Sequence, residues 1–268
     1  MTTPIRCGYV DTSWGQVHYR SAGNAGPWVG LFHESPLSSR VYEDVLVQLA
    51  PHCRAVAFDT PGYGSSALPP SATEEIPDYA EVLGQAAVAV GMKDAVFGGV
   101  HTGASIAIEL AHSFAGGVAG VFLSGVPLFT AEERAQFLES WTPAMPIDGE
   151  GSQFDWVVDR YRRIWPGITP RMLHVAATEA LRAGEHYDWA YNAAFRHEPS
   201  DALSRITAPV ALIDAEFDML ADKDDVALAL NPNARLTVLA GLQGQPHMRA
   251  PEDYAREILT FVTSIAAS

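Results

Sequence analysis

Phe97-Gly-Gly-Val-His101-Thr-Gly-Ala-Ser-Ile-Ala-Ile-Glu-Leu-Ala111 decides how the rest of the chain is read. The apolar run Ala95-Val-Phe97 ends in two glycines, one polar residue stands between small neighbours, and an Ala/Ile/Leu pattern of helical period follows at once. That order predicts a strand, a very tight turn and a buried helix. The spacing Gly99-x-His101-x-Gly103 has the form G-x-S-x-G, a strained strand-to-helix turn whose glycines remove side chains that would collide as the central residue is thrust out. Here the centre is His101, not Ser, Cys or Asp.

On either side of this turn, strands and helices alternate. Upstream, Cys7–Val10 and Gln16–Arg20 form a predicted hairpin about Gly15, and Trp28–His33 and Ala55–Asp59 lack polar/apolar alternation, as strands buried on both faces do. Helices are expected over Val41–Ala50, with Ser39 as N-cap, and over Ile76–Val90. Val118–Ser124 is a further strand. From Pro127 the alternation stops, and aromatic-rich helical segments broken by Pro143, Pro146, Pro166 and Pro170 run to about Leu203. It resumes with a strand (Val210–Ile213), a helix (Asp224–Leu230), a strand (Leu236–Leu239) and a last helix (Glu252–Val262). The expected architecture is therefore α/β: a mostly parallel sheet covered on both faces, built from 1–126 and 204–268, with a helical cap inserted at 127–203.

Composition narrows the partners. A net charge of −15 argues against nucleic acid or an anionic membrane, both of which would repel the chain. Two cysteines, Cys7 and Cys53, make no disulfide framework and have no metal-ligand spacing, which points to a reducing compartment. The N-terminal stretch has no signal-peptide core and no apolar run is long enough to span a bilayer, so cytoplasmic residence is expected. A homodimer stays open.

Four motifs then coincide. Leu31-Phe-His-Glu-Ser-Pro-Leu-Ser-Ser39 follows the third strand, Asp59-x-Pro-Gly-x-Gly-x-Ser66 the fourth, the His101 turn the fifth, and Gln245-Pro-His247 precedes the C-terminal helix. In these the chain resembles the α/β-hydrolase superfamily, particularly the capped branch that includes haloalkane dehalogenases, epoxide hydrolases and ester or C–C hydrolases. The resemblance covers nearly the whole length and is weakest at 127–203. It implies that His247 is the catalytic histidine, that Asp218 orients it, with Asp214 and Glu216 as nearby rivals, and that the backbone N–H groups of Ser35 and Thr102 form an oxyanion hole. His33 is expected to hold its loop. Glu34 stands where the family's motif has glycine, and either interacts with His101 or anchors the loop.

Three roles are open to His101. It could attack a carbonyl and form an acyl-imidazole, take a proton as a general base, or hydrogen-bond a ligand in a member without turnover. Dehalogenases and epoxide hydrolases need an elbow Asp to make an alkyl ester, and an imidazole would give a stable alkyl-imidazolium instead. An ester, lactone, thioester or activated C–C bond suits His101 better, with a lyase, decarboxylase or isomerase using it for proton transfer as the alternative. Trp141, Trp156 and Trp165 suggest an apolar or aromatic substrate. No metal is expected, and the glycines at 98–103 do not read as a dinucleotide motif, so no cofactor is called for.

Overall fold

The computed structural model describes residues 4–266. Met1–Thr3, where the stretch read as lacking an export signal begins, lie outside them, as do residues 267 and 268. Eight strands form one sheet in the order β1-β2-β4-β3-β5-β6-β7-β8: β1 Arg6–Thr12, β2 Gly15–Ala22, β3 Trp28–Phe32, β4 Arg54–Phe58, β5 Ala95–Val100, β6 Val118–Ser124, β7 Val210–Ala215 and β8 Arg235–Leu239. β1 and β2 pair antiparallel and β2 joins β4 antiparallel, and every pairing from β4 to β8 is parallel.

Helices α1 (Glu43–Leu49), α2 (Ile76–Val90) and α3 (Thr102–Ser113) alternate with the first strands. Between β6 and β7 the chain forms only helices: α4 Ala131–Ser140, α5 Ser152–Ile164, α6 Pro170–Ala183, α7 Trp189–Arg196 and α8 Ser200–Ser204. α9 (Asp224–Leu230), α10 (Pro246–Arg249) and α11 (Pro251–Ala266) complete the chain. No helix among the described residues is long and apolar enough to cross a membrane.

The unbroken apolar runs of the central strands follow from burial on both faces. In β5, Ala95 and Phe97 join the core formed with Leu83 of α2 and Ile106 of α3, while Val96 joins the core on the other face with Leu46 of α1 and Ile258 of α11. Side chains alternate across the sheet, but both sides are apolar, so the sequence shows no alternation. The start of α1 differs from expectation. A 3-10 turn over Ser39–Tyr42 precedes it, and Ser38 rather than Ser39 caps that turn, accepting from the Arg40 N–H. Ser39 is used otherwise: its N–H donates to Asp59 at 2.8 Å and its hydroxyl accepts from Arg20.

Candidate active site

The turn after β5 is built by contacts between backbones. A Cβ on Gly103 would lie 2.0 Å from the Phe32 carbonyl oxygen, and one on Gly99 would lie 2.3 Å from the Gly103 carbonyl carbon. Only glycines let the start of α3 close on the end of β3. Between them His101 is forced to φ 50°, ψ −110°, a conformation costing about 1–3 kcal/mol that persists because its surroundings dictate it.

The His101 imidazole meets Asp218, on the loop after β7. Nε2–H donates to Oδ1 at 3.0 Å and to Oδ2 at 3.2 Å, and Oδ1 also accepts the Leu220 N–H at 2.9 Å. Gly125 leaves the space, since a Cβ there would lie 2.4 Å from His101 Cδ2. Burial pulls the His101 pKa down, but the Asp218 charge and hydrogen bond outweigh it, Glu34 and Asp214 add to them, and the imidazole is pushed up to about 9. Burial would raise Asp218, yet His101 holds it below the usual carboxylate range. The rival acids are occupied elsewhere: Asp214 accepts the Gly125 N–H with both oxygens, and exposed Glu216 accepts the Gly241 N–H. Burial and the nearby Asp224 charge raise Asp214 far above its ordinary value.

The expectation that Asp218 orients His247 is corrected here. An imidazole reaches further than a serine hydroxyl, so the elbow residue takes Asp218 for itself. His247, in α10, is fully buried, with its ring 4.9 Å from that of Tyr42 and Nε2 3.3 Å from Glu34 Oε2. Glu34, standing in for a glycine, gives this second histidine its own carboxylate. Burial would raise the Glu34 pKa, but the His247 charge and, more weakly, that of His101 lower it. Its neighbour His33 is spent on structure. The Thr60 N–H donates to Nε2 at 3.0 Å, so Nδ1 carries the proton and donates to the Glu34 carbonyl at 2.9 Å.

Glu34, His101 and Thr102 line one pocket whose other walls come mainly from the helical insertion and are apolar, among them Trp141, Trp165, Phe129 and Phe195. Its cavity volume is about 50 Å³, room for a few waters or a short chain, given that one water needs roughly 10–15 Å³. Trp156 does not line it; the ring packs edge-on against Tyr187 and beside Arg160. Ser35 is buried but also absent from the lining. Tyr191 and Leu220, which do line it, went unnoticed in the sequence. Tyr191 belongs to a helical stretch whose facing depends on how α7 is rotated, and Leu220 follows Asp218 by two residues, the one signal that could have found it. Among the described residues no group of three or more His, Cys, Asp or Glu side chains is placed to hold a metal ion.

The family model described as the alpha/beta hydrolase family matches residues 23–257. Haloalkane dehalogenase 2 of Mycobacterium tuberculosis (strain ATCC 25618 / H37Rv) is 31% identical over 132 residues, covering 49% of this chain and 46% of that protein. The match thus spans about half the length of these curated relatives. The pimeloyl-[acyl-carrier protein] methyl ester esterase of Yersinia pseudotuberculosis serotype IB (strain PB1/+) is 25% identical over 267 residues, covering 92% of this chain and 97% of its own. Among solved structures, the enol-lactonase from Burkholderia xenovorans LB400 superposes with a TM-score of 0.78 at 16% identity, covering 96% of this chain and 100% of that one. At that identity the likeness concerns the fold.

Proposed function

We propose, from the premise that the chain belongs to the alpha/beta hydrolase family, that it hydrolyses a small or medium carbonyl compound with an apolar or aromatic arm, an ester, lactone, thioester or activated C–C bond. The observation that carries this reading is the Asp218-held imidazole at the tip of the elbow, opening onto an aromatic pocket. A group whose pKa is pushed up to about 9 is only about 1% neutral at pH 7. His101 therefore works as an imidazolium, drawing charge onto the carbonyl oxygen and protonating the leaving group, with Asp218 fixing its orientation.

The Thr102 N–H is the first of its helix and has no carbonyl four residues back to bond, so it adds a donor for the oxyanion. Ser35 has no comparable support, because it lies outside the pocket lining. Alkyl halides are not substrates on this reading, since the imidazole would be left alkylated. Proton transfer within a substrate, as in an isomerase, is the second reading, favoured by the Glu34 carboxylate sharing the pocket with His101.

A panel of activated aryl esters, thioesters and lactones tests the proposal. Turnover is expected in the unaltered protein and its loss in His101→Ala and Asp218→Asn. Activity that survives His101→Ala removes the elbow from the chemistry. Gain of ester cleavage in His101→Ser marks the surrounding machinery as hydrolytic.

A further inference from the structure

Glu34 and His247 form a second imidazole–carboxylate pair whose polar atoms are left over. Glu34 is 4% exposed and His247 0%, yet neither carboxylate oxygen of Glu34 and neither ring nitrogen of His247 has a hydrogen-bond partner among the described residues. The pair sits at ion-pair distance, 3.3 Å, without hydrogen-bond alignment. Leaving a buried polar group unmatched is costly, and a catalytic role is one reason a protein tolerates it. Both nitrogens of the adjacent His33, by contrast, are matched. Glu34, unlike His33, also lines the pocket that His101 enters.

We infer that Glu34 is the general base of the site, taking a proton from the attacking water, and that His247, 3.3 Å away, is a positioning residue that holds it in place. This rests on the hydrolytic reading above and replaces an acyl-enzyme by direct attack. The water oxygen bonds to the carbonyl carbon while one of its protons passes to a Glu34 oxygen and the C=O pair moves onto the carbonyl oxygen. As that pair returns, the bond to the leaving group breaks. The leaving atom keeps the bonding electrons and accepts a proton from His101 Nδ1, the nitrogen that Asp218 does not hold. The proton on Glu34 then restores the imidazolium, so that one water is consumed and the two products carry its atoms. Two imidazoles act on Glu34, those of His247 and, in the pocket, His101; Tyr42 and Tyr254 pack on the His247 ring.

With the best ester from the panel, Glu34→Gln is expected to lower kcat at least 100-fold with little change in KM and an unchanged melting temperature, and Glu34→Asp to recover part of it. His247→Gln removes the group whose contact lowers the Glu34 pKa, so the acid limb of the kcat profile moves to higher pH. Rapid mixing of the unaltered protein with ester should show no burst of released alcohol. A stoichiometric burst, or full kcat in Glu34→Gln, overturns the inference while leaving hydrolysis intact. An unaltered protein inert toward the whole panel instead overturns the hydrolytic reading itself.

Discussion

Two histidine–aspartate pairs in this protein are nearly alike at the level of the bond and opposite in their surroundings. His18 Nδ1 lies 2.8 Å from Asp59 Oδ2, and His101 Nε2 lies 3.0 Å from Asp218 Oδ1. Asp59 is saturated: besides His18 it accepts N–H groups from Ser39 and Ser65, tying β2, the start of α1 and the turn after β4 together. Burial would raise its pKa, but these donors hold it at about 2. The His101 pair instead stands at a pocket, beside a second pair that lacks hydrogen bonds altogether. Saturation gives stability and a fixed geometry; leftover capacity next to a cavity gives chemistry. The difference lies in what the remaining donors and acceptors do.

Replacing each aspartate by asparagine should separate these roles. The largest effect is expected from Asp218→Asn, which keeps the shape and removes the charge that fixes the imidazolium. Turnover should fall about 1,000-fold or more, equivalent to roughly 4 kcal/mol of lost transition-state stabilisation, with the fold retained. The pH profile is a second readout. With His101 pushed up to about 9, activity needing the imidazolium declines as pH rises through that value, and in Asp218→Asn the decline moves towards the ordinary histidine range. An alkaline limb that stays in place would show that another group sets it.

Asp59→Asn should do the reverse, costing about 3 kcal/mol of stability and leaving turnover per folded molecule unchanged. Because the folded-state pKa of Asp59 lies below its unfolded value, about 2 against 3.8, its contribution is present above pH 4 and is lost as pH falls towards 2. Depressing a carboxylate by this much is worth about 2 kcal/mol at neutral pH. Denaturant unfolding at pH 7 should therefore separate the variant clearly from the unaltered protein, and at pH 3 the gap should narrow. A gap that widens in acid would break the assignment.

How far each pair could be read from sequence follows from the kind of constraint that makes it. The elbow was legible because glycine spacing and the change of period are backbone devices written locally, and the same holds for the order of strands around it. The His18–Asp59 pair was not, since the two residues are 41 positions apart and meet only once β2 lies antiparallel to β4. Asp218 was placed by its motif, but its partner was misassigned because the choice between His101 and His247 turns on side-chain reach. Glu34 was visible as a departure from the motif, whereas its contact with His247 depends on how two loops close. Trp156 and Tyr191 illustrate a last limit, in that composition locates the aromatic insertion without saying which face of α5 or α7 turns to the pocket.

The smallest and sharpest test uses a feature that the two pairs share. Each has a left-handed glycine pressed against it: a Cβ on Gly64 (φ 55°) would lie 2.1 Å from Asp59 Oδ2, and one on Gly125 (φ 58°) would lie 2.6 Å from His101 Nε2. Alanine in the left-handed region costs about 1–2 kcal/mol, so Gly64→Ala and Gly125→Ala should lose similar amounts of stability by thermal or denaturant unfolding. Their activities should then diverge. Gly64→Ala displaces a carboxylate that only holds the fold, so turnover per folded molecule should persist. Gly125→Ala displaces the imidazole from Asp218, and a shift of even 1 Å at a reacting group can cost on the order of 100-fold. Equal losses of activity in the two variants would mean that the pairs are coupled through the sheet, and the division between a structural and a working histidine–aspartate pair would have to be abandoned.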